Sequence, residues 1–131
     1  DQRLKTIEVR KELTDEWDIR GVQKGVEYAI LTDEITKAWA GLSTKEYKNL
    51  KGLKKENLRD NMTNLELVLN MLAEASTTEI SKEKQPDTFE ENKIVAQQGG
   101  LVANAAKKQL EETTGKKVVT VKTAKEIDKV K

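Results

Sequence analysis

Apolar side chains return every three or four residues along most of this chain, the interval that gathers them on one face of an α-helix. Leu4, Ile7 and then Val9 or Leu13 predict a helix over residues 3–13. Thr14 and Asp15 could cap a following acidic turn, and Gly21 interrupts. Val22, Val26, Ala29 and Ile30, continued by Ile35, Ala38 and Trp39, predict a longer helix from Val22 to Ala40, bent near Thr32 and ending at Gly41. A short basic helix is expected over Leu53–Asp60. The densest run, from Leu65 through Leu67, Val68, Leu69, Met71 and Leu72 to Ala75, is apolar on nearly every side. Such a helix belongs at the centre of a bundle or in an oligomer interface, so residues 63–82 are expected to form the core helix.

Polar residues mark where helices begin. In Ser43-Thr-Lys-Glu46, Thr63-Asn-Leu-Glu66, Thr88-Phe-Glu-Glu91 and Thr123-Ala-Lys-Glu126, a hydroxyl residue precedes a glutamate by three positions. This is the capping-box spacing, in which each side chain accepts a hydrogen bond from the other residue's backbone N–H. The first box opens a helix that stops near Gly52, the second the core helix, the third a helix running toward Gln98, and the fourth a short terminal helix. Pro86-Asp87 breaks the chain, and Val118–Val121 reads as extended, giving a short non-helical segment at 117–121. The expectation is an all-α fold: one domain over residues 1–131, with about six helices in a single compact bundle around 63–82.

Residues 97–119, QQGGLVANAAKKQLEETTGKKVV, hold two glycines and a Gly-Lys pair that invite a phosphate-binding reading. A Walker loop fails here: Leu110 stands where its first glycine belongs, and Lys117 where Ser or Thr must meet magnesium. Gly99-Gly100 also lacks a third glycine at dinucleotide spacing. With Ala96, Ala103 and Ala106 beside them, these glycines read as a helix break with close packing, and Gly115 as a left-handed C-cap.

Charge adds a second pattern. The 131 residues are 36% charged and carry a net charge of +1, yet residues 45–59 hold six Lys/Arg against two Glu, and residues 60–92 hold eight acids against two lysines. Segment 44–63 has the outline of a helix-turn-helix, so Lys51, Lys54, Lys55 and Arg59, with Lys107 and Lys108 further on, are candidate phosphate contacts. Arg59-Asp60-Asn61 equally suits a hydrogen-bonded corner between helices. Leu65, Val68, Leu69 and Leu72 are the candidate partner interface. Glu74, in the middle of the apolar run, is the one acid expected to be partly buried and paired to a Lys or Arg, and Trp17 and Trp39 read as core anchors.

Cys and His are both absent, which removes disulfides, thiol nucleophiles, Ser–His pairs and zinc sites built on those residues. No carboxylate pair has the spacing of an acid/base set, and no catalytic residue, cofactor, metal or small-molecule ligand is expected. No apolar run approaches the roughly 18 residues of a membrane span and no signal-peptide pattern is visible, so a cytoplasmic protein without a membrane partner is expected.

The stretch EWDIRGVQKGVEYAILTDEITKAWAGLSTKEYKNLKGLKKENLRDNMTNLELVLNMLAEASTTEI, followed by FEENKIVAQQGGLVANAAKKQLEETTGKKVV, resembles the C-terminal region of bacterial and prophage BRO-N-domain proteins. That family is described as phage antirepressor-like and related to DNA-damage-inducible protein D. The similarity covers roughly residues 3–121, with Gly52–Thr63, Glu74–Ile80 and Gly99–Val119 its most particular blocks. It implies that this chain is the C-terminal part of a longer protein whose DNA-binding BRO-N domain lies outside it, so none of that domain's residues can be placed here. Two functions are therefore expected. The first is a non-catalytic interaction or oligomerisation module of a prophage-type antirepressor or transcription regulator, pairing as a homodimer or with a protein such as a repressor. The alternative is a helical nucleic-acid-binding module using segments 45–59 and 107–117.

Overall fold

Five α-helices and one 3-10 turn make up the regular structure of residues 2–123, the part of the chain that the computed structural model describes. They are α1 (Gln2–Ile19), α2 (Val26–Ala40), α3 (Thr44–Leu50), α4 (Asn64–Lys84) and α5 (Phe89–Thr114), with the turn Arg59–Asn61 before α4. The capping boxes at Ser43, Thr63 and Thr88 all form, each with both reciprocal bonds, and Gly115 ends α5 at a φ of 71°. The box at Thr123-Glu126 lies largely outside the described residues.

The order of contacts gives the topology. Arg3 donates to the Arg59 and Met62 carbonyls ahead of α4, Arg10 reaches Glu74, and the Ser81 hydroxyl donates to Glu16, so α1 and α4 run side by side in the same direction. The Tyr28 hydroxyl donates to the Thr14 carbonyl and Arg10 to Thr32, which sets α2 antiparallel to α1. α5 folds back along α4 and packs on α2 as well, while α4 meets α1, α2 and α5. Leu13, Trp17, Leu31, Ile35, Trp39, Tyr47, Leu67 and Ala73 are sealed in the resulting core. Both tryptophans are anchors as expected, Trp17 tilted against Tyr28 at 5.3 Å and Trp39 edge-on to Tyr47 at 6.0 Å.

Several sequence expectations are corrected. There are five α-helices among the described residues, not six. α1 runs unbroken through Thr14, whose hydroxyl donates back to the Lys11 carbonyl and leaves it no capping role. α2 begins at Val26, because Gly21 and Gly25 both sit at positive φ and make a turn. Leu53–Asp60 is not a helix: Leu53 and Leu58 are buried as isolated anchors, with the 3-10 turn starting at Arg59. Residues 117–121 are bends and irregular chain, non-helical as expected but without a regular extended segment.

Nor do Gly99 and Gly100 break α5, which stays helical through both. A Cβ at Gly99 would lie 1.9 Å from Thr77 Oγ1, and one at Gly100 2.5 Å from the Ala38 Cβ and 2.7 Å from the Ile35 carbonyl oxygen. The close-packing half of that reading holds. The glycines are there for two neighbouring helices rather than for a bend.

The largest correction concerns α4. Its inward face carries Glu66, Asn70, Glu74, Thr77, Thr78 and Ser81, all buried, while Leu65, Val68 and Leu72 face outward at 44%, 39% and 36% exposure. The buried face is therefore mixed, with these polar groups lying among Leu67, Leu69 and Ala73, where a wholly apolar centre was expected. Thr77 and Thr78 satisfy their hydroxyls on the carbonyls of Ala73 and Glu74, one turn back, so close contact with α5 leaves no orphaned hydroxyl there.

Candidate functional site

The acids of α4 organise two polar centres eight residues apart. Glu66 is drawn inward because its N3 position in the capping box places the carboxylate over the start of the helix. Its Oε1 accepts from the Thr63 N–H at 2.8 Å and from the Lys51 ammonium at 2.7 Å. Its Oε2 accepts from the Tyr47 hydroxyl at 2.5 Å and, more weakly, from the Thr120 N–H at 3.4 Å. The Lys51 ammonium also donates to the carbonyls of Thr120 and Lys122, so its three protons are all used. Both charged side chains are fully enclosed. Burial and the adjoining Glu66 charge push the Tyr47 hydroxyl far above the usual phenol range, which keeps it a proton donor.

Glu74 builds a different centre. Its Oε2 accepts from Arg10 at 2.9 Å and from Arg59 at 2.8 Å, while its Oε1 has no partner among the described residues. The carboxylate is buried, yet the two guanidinium side chains remain 25% and 26% exposed. Arg10 also donates to the Thr32 hydroxyl at 2.8 Å and lies 5.3 Å from the Trp17 ring centroid. Two cations on one anion leave a surplus positive charge facing out of the core.

That surplus faces a cleft. A volume of about 820 Å³ between α2, α3 and the loop after α3 is bordered by Arg10, Lys45, Lys48 and Lys54, with Ala29, Ile30 and Leu53 as apolar wall. A recess of about 330 Å³ shares Arg10, Thr32, Thr44 and Lys48 with it and reaches Arg59 and Asn70. Asp33, the cleft's acid, is already engaged: it accepts from the Thr44 N–H at 2.7 Å and pairs with Lys37 at 3.4 Å. Among the described residues no group of three or more His, Cys, Asp or Glu converges in a way that would hold a metal, and no helix is long and apolar enough to cross a membrane.

The predicted site residues therefore separate. Lys51 is enclosed and committed to Glu66, so it presents nothing to a phosphate, a direct correction of its reading as a surface contact. Arg59 is held by Glu74 and belongs to the corner between the helices rather than to an open basic face. Lys54 and Lys55 are exposed, and Lys54 lines the cleft. Lys107 is half-buried and Lys108 exposed, both on α5 and outside the cleft lining. Of the apolar set, Leu65, Val68 and Leu72 do face outward, whereas Leu69 is 3% exposed and part of the core. Glu74 is paired as expected and buried fully rather than in part, but it is not alone, since Glu16 and Glu66 are buried too. Arg10, Lys48 and Asn70 were missed. Lys48 lies within the basic segment 45–59 but is not singled out by it, and nothing local marks Arg10 or Asn70, because their neighbours come from other helices.

No protein-family model, no curated protein and no solved structure matches the chain.

Proposed function

We propose that this domain is a non-catalytic interaction module that pairs with a second copy of itself through the outward face of α4. The observation that carries the reading is the outward placement of Leu65, Val68 and Leu72 on that helix. Leu65, Val68, Leu72 and Ala75 follow one another at intervals of three and four, the spacing of a coiled-coil seam. Of the positions flanking the seam, Leu69 and Thr78 are buried within the fold, and the accessible ones, Asn64, Met71 and Ser76, carry no charge. An isologous contact needs this kind of self-complementary stripe. The resemblance to the C-terminal region of prophage antirepressor-like proteins supports the same role, that of a helical module assembling a transcription regulator.

Light scattering across a range of concentrations tests this. The expected mass is twice the 14.8 kDa of the chain, reverting to one copy in a Leu65→Glu, Leu72→Glu double variant that keeps its helical circular dichroism. A monomer at every concentration, or a dimer untouched by the double variant, sinks the proposal. The nucleic-acid reading has less to rest on, because Lys51 and Arg59 are spent on internal carboxylates. It would be revived by duplex DNA binding that weakens steeply with salt and with Lys54→Ala, Lys55→Ala.

A further inference from the structure

Asn70 is the residue that points to a ligand. It is 4% exposed, and its Oδ1 accepts from the Trp39 indole N–H at 3.2 Å. An indole nitrogen only donates, so this bond fixes which end of the amide faces the tryptophan. The Nδ2 group is left without a partner, and Asn70 lines the 330 Å³ recess. A buried amide donor left unpaired is costly, and in folded proteins such groups are met by an acceptor from protein, water or a ligand.

The walls say what kind of molecule carries that acceptor. Lys45, Lys48 and Lys54 line the outer cleft and make no side-chain hydrogen bond or ion pair among the described residues. Arg10 and Arg59 add one positive charge beyond what Glu74 neutralises, and Asp33 is taken by Lys37 and the Thr44 N–H. The outer cleft thus holds three ammonium groups without a direct ion pair, Lys48 lying within electrostatic reach of Glu56, and Ile30 and Leu53 form part of its apolar wall. Its volume suits a small organic molecule, and it adjoins the recess that Asn70 borders, the two sharing Arg10, Thr32, Thr44 and Lys48 in their walls.

We infer that this cleft binds a small organic anion, with a phosphate or carboxylate among Lys45, Lys48 and Lys54 and a neutral acceptor atom, a carbonyl oxygen or ring nitrogen, on Asn70 Nδ2. It runs against the expectation from the sequence of no small-molecule ligand. The site is independent of the dimer face. Asn70 is two residues from both Val68 and Leu72, which puts it about 160° round the helix from each, so either proposal can fail without the other.

The test is calorimetric titration of the intact chain with adenosine 5′-monophosphate, uridine 5′-monophosphate, glucose 6-phosphate and citrate, with inorganic phosphate and a short single-stranded oligonucleotide in parallel. The expected result is saturable binding of at least one of the four organic anions, tighter than inorganic phosphate by about tenfold or more, the scale of one added hydrogen bond in a low-dielectric recess. Lys48→Glu should weaken that binding by at least about tenfold. Asn70→Asp keeps an acceptor for Trp39 but removes the free donor, and should abolish the gain over inorganic phosphate. Unchanged helical circular dichroism and thermal melting show that this variant is folded, and if it is not, Lys48→Glu alone decides. The inference is overturned if no organic anion outcompetes inorganic phosphate, if the variants leave binding unchanged, or if the oligonucleotide binds best and is indifferent to both substitutions.

Discussion

The two carboxylates on the inner face of α4 invite direct comparison. Glu66 and Glu74 lie on the same helix and are both buried, and each holds cations supplied by other segments. Around Glu66 every oxygen and every ammonium proton is used, and no part of the pair reaches water. Around Glu74 one oxygen is idle, both guanidinium groups are a quarter exposed, and the surplus charge opens onto a cleft. The difference lies in who supplies the cation. One lysine closed in by the backbone of residues 120 and 122 makes a neutral, finished knot, whereas two arginines on one carboxylate leave charge to spare. A completed centre holds the fold together. An incomplete one has chemistry left to offer.

Substitution should separate them by magnitude. Glu66→Ala strands the Lys51 ammonium in a sealed site and unpairs the Thr63 cap, so denaturant unfolding should show a loss of about 3–5 kcal/mol. Glu74→Ala leaves two arginines that can hydrate where they stand, and the same measurement should give only about 1–3 kcal/mol, partly recovered at high salt as the guanidinium repulsion is screened. Equal losses at the two sites would break the distinction.

A subtler separation comes from pH. The raised Tyr47 hydroxyl means that the unfolded chain, whose phenol ionises near 10.0, gives up that proton before the folded one does. Stability from this group is complete below pH 10 and declines as pH rises beyond it, by up to about 1.4 kcal/mol per pH unit. Urea melts between pH 9 and about 11 should show that slope in the parent chain and a smaller one in Tyr47→Phe, where the raised Tyr28 hydroxyl still contributes. If the slope is identical in the two, the knot around Glu66 is more open than its geometry implies.

What the residues reveal in advance follows the range of the interaction. Three capping boxes and the Gly115 cap are readable because all partners lie within a few positions. Trp17 and Trp39 are readable by size and surroundings. The pairing of Glu74 was foreseeable, since an acid in an apolar run must be compensated, but not its partners Arg10 and Arg59, which arrive from 64 and 15 residues away. Lys51 was misjudged for the same reason. A basic run looks solvated until one knows that Glu66 stands beside it and that the chain returns at Thr120 to close the site. Likewise Leu53–Asp60 carries helix-forming lysines and leucines, yet Leu53 and Leu58 are used as separate anchors in a loop, and burial overrode local preference.

The adjacent glycines of α5 carry one more consequence. Neighbouring positions on a helix point about 100° apart, so Gly99 and Gly100 are notches cut for two different partners, Thr77 of α4 and the Ile35–Trp39 stretch of α2. Sliding α5 by one residue along either neighbour would drive Gln98 or Leu101 into a space that does not admit even a methyl group. The pair acts as a two-way key, setting the register of three helices at once, and the mutual alignment of the cleft wall on α2 and the outward seam on α4 is indexed to it.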